Sequence, residues 1–349
     1  MNQMVKKNGH IVYIDILNII AIIAVIALHH NGIVHQYSNI RAWKTSLIIE
    51  VICFWAVPVF FMLTGATLMD YRKKYNTKTF IKKRVKKVGI PFLVWIVIMS
   101  LWKYKIGEIS FEGNFISDFF NKLFSNKIEY TYYFLFAIIG IYLTMPLLSL
   151  MTKREHRKTL WYAVGVFFIT NSALPCVNKV FGIEYNNDLS IQIGKYISFV
   201  ILGFLLSTED IEKRKRIFIY CLGICSIIFR YTVTLIMSTR QNELYGIFFG
   251  YEQFHSILLA TAVFVLVKNI NLEKIINSDK IKKIIMKISE CSFGVYLIHL
   301  IVMHYELELA NINVYSWKWR TIGIIITYFI SLCIVYLLKK IPIVKSIVP

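Results

Sequence analysis

Residues 11–30 read IVYIDILNIIAIIAVIALHH, an apolar run into which Asp15, Asn18, His29 and His30 are set. Twenty residues rising 1.5 Å each reach about 30 Å, the thickness of a bilayer's hydrocarbon core. The run is therefore read as a membrane-crossing helix. Lipid tails offer no hydrogen bond to a carboxylate, an amide or an imidazole, so these groups should face a protein interior or a wet cavity. With 3.6 residues per turn, the step from Asn18 to His29 closes about three turns, placing both on one stripe about 16 Å apart. Asp15 falls close to that stripe, whereas His30 lies on a different face and reads as an interfacial residue. No small-residue cleavage site follows the run, so it is expected to be retained rather than removed as a signal peptide.

The rest of the chain repeats this pattern. Of 349 residues, 57% are hydrophobic and 15% aromatic, and the mean hydropathy is +0.58, far too apolar for an ordinary soluble domain. Ten stretches are predicted to span: 11–30, 45–69, 88–106, 131–151, 159–176, 191–207, 216–238, 247–268, 289–307 and 318–338. The expected fold is all-α: a polytopic ten-helix transmembrane bundle, a single domain over residues 1–349. Lys and Arg then orient it. With the N-terminus inside, the inner flanks carry 28 basic residues and the outer loops 11, and Arg230 stands alone within the seventh stretch. Cytoplasmic loops collect such charges, so both termini are expected in the cytoplasm. Topology and anionic lipid headgroups account for the net charge of +20 without nucleic acid. The loop from Lys103 to Tyr130, with Phe111, Phe115, Phe119, Phe120 and Phe124, is expected to hold an amphipathic helix at the outer surface. The six cysteines show no paired outer-loop pattern, and neither disulfides nor a metal site is expected.

Residues 70–87, DYRKKYNTKTFIKKRVKK, form the second chemical feature, with nine positive charges in eighteen residues. A plain inside loop touching headgroups explains part of this. A phosphate-bearing ligand explains it equally, with Arg72, Lys83, Arg84 and Lys87 as candidate contacts. Glu50, Arg230, Glu252 and His255 are costly in lipid and are expected to line a cavity; an ion pair of Arg230 with Glu50 or Glu252 is an equal reading.

Five stretches together resemble the acyltransferase-3 family of integral-membrane acyltransferases. DILNIIAIIAVIALHH (residues 15–30) resembles its opening motif, an Arg, ten mostly apolar residues and a His; the His matches His29, and Asn18 occupies the Arg position. PVFFMLTG (58–65) resembles its P-x-F-F-x-x-S-G stretch, and TFIKKRVKKVGIPFLVW (79–95) its basic loop entering the third helix. YYFLFAIIGIYLTMPLL (132–148) is similar to its fourth helix, and SECSFGVYLIHLIV (289–302) to its S-x-x-S-F-G-I-Y-L-I-H signature. The resemblance covers nearly the whole chain.

It implies transfer of an acyl group, usually acetyl from cytoplasmic acetyl-CoA, to a hydroxyl of an extracytoplasmic carbohydrate. The implied co-substrate is acyl-CoA, with no permanently bound cofactor. His29 would be the general base, and the basic inner face the CoA site. An imidazole of ordinary pKa near 6.5 is suited to taking a hydroxyl proton, and Tyr296 or His299 are candidate donors to the oxyanion. Asn18 carries no charge where the family has a cation, so either Arg84, Lys87 or Arg230 supplies one, or the donor differs, or activity is lost. Asp15 and Asn18 are candidate catalytic residues with His29 on the same stripe; a structural pairing of Asp15 with Arg230 or an inner-surface Lys is the alternative. The expected setting is a bacterial plasma membrane, with membrane lipid, the glycan acceptor and cell-envelope assembly proteins as partners. A glycan or small-molecule exporter, making no covalent bond, is the rival reading; a scaffolding subunit is a third.

Overall fold

The structure, a computed structural model, describes residues 11–189, 194–342 and 344–348. Within these the regular elements are all helical: α1 Val12–His30, α2 Arg41–Cys53, α3 Ala56–Leu68, α4 Thr77–Arg84, α5 Ile90–Lys105, α6 Phe115–Phe124, α7 Tyr133–Leu148, α8 Arg157–Phe168, α9 Leu174–Phe181, α10 Ile197–Thr208, α11 Lys213–Gln241, α12 Phe254–Asn269, α13 Leu272–Ile275, α14 Asp279–Ala310 and α15 Ile324–Leu338.

Each of the ten expected stretches contains helix, and eight helical stretches are long and apolar enough to cross a bilayer. The chain is a multi-pass membrane protein. The other two, α10 and α12, have 12 and 16 residues. At 1.5 Å per residue they reach about 18 and 24 Å, short of a hydrocarbon core of about 30 Å. A short helix is tolerated where protein rather than lipid surrounds it, and α10 is buried along most of its length. Residues 191–193, the expected start of that stretch, lie outside the described residues.

Four prolines shape the helices around the interior. A proline inside a helix donates no hydrogen bond, and its ring crowds the carbonyl four residues earlier. For Pro58 that carbonyl belongs to Phe54, and the expected single helix over 45–69 breaks there into α2 and α3. For Pro91 it belongs to Lys87, within the π-turn Val85–Gly89 that joins α4 to α5. For Pro175 it belongs to Asn171, within the π-turn Ile169–Ala173 that joins α8 to α9. Pro146 lies inside α7, four residues after Tyr142.

α1 occupies the middle of the bundle, packed on α14, α3, α2, α15 and α12. The closest helix pair is α3 with α10. A Cβ on Gly65 would lie 1.8 Å from the Val200 carbonyl oxygen, and one on Gly203 would lie 2.0 Å from that of Met62. Small residues bring membrane helices to backbone contact in this way, where dispersion rather than water exclusion holds them together. Gly65, between α3 and α10, lines neither of the cavities described below.

His30 corrects the sequence reading of an interfacial residue. It is buried, with Nδ1 3.0 Å from the Trp319 carbonyl and Nε2 2.9 Å from Thr327 Oγ1, and so fastens α1 to the start of the last helix. The expected amphipathic helix is α6, capped by Asn114, whose side chain accepts from the Ile116 and Ser117 amides. Phe119 and Leu123 face the bundle, while Phe115, Ile116, Phe120 and Phe124 are exposed. The Lys122 ammonium and the Glu112 amide, both bonded to its carboxylate, hold Asp118 below its ordinary pKa.

Candidate active site

Two cavities lie along α1, one at each end. The first, of about 460 Å³, opens beside the N-terminal half of α1 and is lined by Asn18, Thr64, Thr67, Arg84, Lys87, Tyr142, Ser289, Glu290, Ser292 and Lys339, three cations against one carboxylate, with mostly apolar residues between them. The second, of about 320 Å³, lies at the C-terminal end of α1 and is lined by His29, His35, Glu50, Phe54, Tyr130, Tyr133 and Tyr251. One is basic and the other carries histidine.

In the basic cavity, Asn18 is engaged. Its amide donates to the Ser289 carbonyl at 2.9 Å and to Ser289 Oγ at 3.1 Å, clasping α1 to α14. Positive charge reaches the same cavity from Arg84, Lys87 and Lys339. Arg84 lies 5.6 Å over the Tyr142 ring, and its Nε has no hydrogen-bond partner among the described residues. Lys339 donates to the Glu290 carbonyl at 2.8 Å. The π-turn before Pro91 begins just after Arg84 and contains Lys87, where a wide turn re-aims side chains. The other two candidate cations lie elsewhere. Arg72 donates to Ser149 Oγ at 2.8 Å, and the Lys83 ammonium stands 4.0 Å over the Tyr75 ring. Asp15 is buried on α1 but lines neither cavity.

In the histidine cavity, His29 Nδ1 is 3.3 Å from the Tyr130 hydroxyl, and its ring centroid is 5.2 Å from that of His299. His299 is fully buried. Its Nδ1 lies 2.7 Å from the Tyr296 carbonyl, which can only accept, so Nδ1 carries the proton. Its Nε2 has no partner among the described residues. Tyr130 owes its position to a residue that the sequence did not single out. Glu129, 1% exposed, accepts from the Thr131 amide at 3.0 Å and from Thr131 Oγ1 at 2.9 Å, and pairs with Lys103 at 2.8 Å. This fixes the short turn Tyr130–Tyr132. Nothing in the mixed-charge loop marked Glu129 as buried, because its burial depends on where α14 packs.

Of the four costly residues, Glu50 lines the histidine cavity and the rest stand behind it. Arg230 meets Glu50 at 3.3 Å with both side chains 3% exposed or less, donates to the Phe248 carbonyl at 2.8 Å and lies 3.7 Å over the Phe54 ring. The proline break at Phe54 brings that ring to the site. Glu252 pairs with Lys195 at 3.2 Å, and buried His255 has Nε2 3.0 Å from Gln253 Oε1. Tyr251 stacks on Phe54 with centroids 4.4 Å apart.

Among the described residues, Phe134 and Tyr296 alone line both cavities. The Tyr296 hydroxyl donates to the Thr131 carbonyl at 2.6 Å and is therefore committed rather than free for an oxyanion.

Residues 11–339 match a protein-family model described as an acyltransferase domain. No curated protein and no solved structure matches the chain.

Proposed function

This chain belongs to the acyltransferase-3 family, and from that premise we propose that it carries an acyl group, acetyl by preference, from cytoplasmic acyl-CoA to a hydroxyl of an extracytoplasmic carbohydrate. The observation that carries this reading is the pair of cavities on α1, one bearing Arg84, Lys87 and Lys339, the other His29, meeting at a single pair of rings. The excess of Lys and Arg on the N-terminal side of α1 supports a cytoplasmic basic cavity.

CoA phosphates would be held by Arg84 and Lys87, with Lys339 at the rim. Asn18 then keeps α1 in register while these cations replace the Arg of the family motif. The acceptor hydroxyl would lie against His29. With the Nδ1 proton donated to the Tyr130 oxygen, Nε2 is left to accept the hydroxyl proton. The ester C–O bond forms as the thioester C–S bond breaks. CoA departs as a thiolate that is reprotonated, so one thioester and one alcohol give one ester and one thiol.

The test uses purified protein in liposomes with radiolabelled acetyl-CoA. Wild type should release free CoA and label an acceptor. His29→Ala should cut transfer by about a thousandfold, the scale of a lost general base, with unchanged elution and thermal unfolding. Transfer at the wild-type rate by His29→Ala overturns the assignment. Acceptor movement without CoA release marks a carrier instead.

A further inference from the structure

We propose that Phe134 and Tyr296 form the gate through which the acyl group passes and the ruler that limits its length, an inference that rests on the transfer reading above. Among the described residues these two alone line both cavities, so their rings stand where the cavities adjoin. The rings meet edge to face, centroids 5.5 Å apart and planes at 63°, and Tyr296 is 8% exposed. The gate is closed at rest.

Its two halves are held differently. Tyr296 is pinned by the hydrogen bond to the Thr131 carbonyl and by stacking on Phe293. Phe134 has no hydrogen-bonding atom in its ring and packs on Phe61 at 5.2 Å and Phe60 at 5.8 Å. Ring contacts slide without breaking a hydrogen bond, whereas moving Tyr296 strands a buried hydroxyl without its acceptor. Phe134 is therefore the moving leaf and Tyr296 the fixed post. The post is registered to the base, because the residue accepting its hydrogen bond, Thr131, adjoins Tyr130, whose hydroxyl contacts His29.

Length selection follows from the direction of travel. CoA is anchored in the basic cavity, so the acyl tail enters the gate ahead of the thioester carbonyl. Every added methylene must clear the two rings and occupy the histidine cavity of about 320 Å³ before the carbonyl comes within reach of the acceptor. A two-carbon group asks only for the tilt of one phenyl ring, and longer chains ask for more.

The experiment measures kcat/KM for acetyl-, propionyl-, butyryl- and hexanoyl-CoA with wild type, Phe134→Leu, Phe134→Ala, Phe134→Trp and Tyr296→Phe, alongside binding of CoA itself. Wild type should lose about tenfold per added methylene, the discrimination of a tight apolar passage. Phe134→Leu and Phe134→Ala should flatten that profile, Phe134→Trp should steepen it, and Tyr296→Phe, which frees the post, should flatten it partly. CoA binding, measured for each variant, separates a changed chain-length profile from a changed grip on the donor, since both rings also line the basic cavity. Phe134→Leu and Phe134→Trp keep most of the packing and carry the test if the alanine variant unfolds. Active variants with the wild-type chain-length profile overturn the gate and leave the transfer reading standing. A wild type that transfers no acyl group from any donor overturns both.

Discussion

At the residue scale, burial assigns the charged groups to their tasks. Glu50 and Arg230 are removed from water together, and removing one partner strands the other's charge. Glu50→Ala should lower stability by about 3–5 kcal/mol, read as a drop in detergent thermal unfolding. The double replacement Glu50→Leu with Arg230→Met should recover much of that loss; if it is as unstable as the single variant, the cost lies in packing rather than charge. Asn18 shows how far one position can be read. The sequence marks it as a polar group where the family has Arg. Its two bonds to Ser289 depend on the placement of α14, 271 residues away. Glu129 and Lys339 were silent for the same reason. A carboxylate in a loop and a lysine at the end of a helix look like surface groups until the bundle closes around them.

At the element scale, the breaks in the helices follow from proline chemistry that is visible in the chain. Pro58, Pro91 and Pro146 each release a carbonyl at a residue facing one of the cavities: Phe54, Lys87 and Tyr142. The α3–α10 contact was less legible, because the sequence shows glycines without showing which backbone approaches them. At Gly65 and Gly203 the obstruction is backbone, which cannot swing aside as a side chain can. Gly65→Ala and Gly203→Ala should therefore each cost about 3 kcal/mol or more of stability. Gly165→Ala, where a Cβ meets nothing within 4 Å, should leave unfolding unchanged or slightly raised in temperature. Equal behaviour of all three would refute the close-contact account. The length of α10 was misread because apolar composition counts the same whether lipid or protein lies outside.

At the scale of the whole molecule, the proposed reaction has a direction, so the orientation in the bilayer must match it. The basic cavity is lined by Arg84 and Lys87 of the basic stretch 70–87 and by Lys339, and in the proposed orientation that side faces the cytoplasm. A fluorescent-protein fusion at the C-terminus should fold and fluoresce, and an alkaline phosphatase fusion there should be inactive. A fusion within residues 108–112, between α5 and α6, should show the opposite pair of results. The reverse pattern would place His29 in the cytoplasm and abolish the proposed route for the acyl group.

The sequence by itself determined the membrane class, the helical architecture, the family and the polar stripe on α1. Hydropathy, helical periodicity and motif order are local properties, written along one strand of chain. It also placed His29 and the cations Arg84 and Lys87 on opposite ends of the path. Tertiary structure alone decided that two cavities lie along α1, and that the touching rings of Phe134 and Tyr296 line both. Those rings come from α7 and α14, distant in sequence, and their contact depends on how three helices meet. The same holds for Lys339 joining Arg84 and for Glu129 holding the turn beside His29. Periodicity tells which face of a helix is buried; only packing tells which partner waits there.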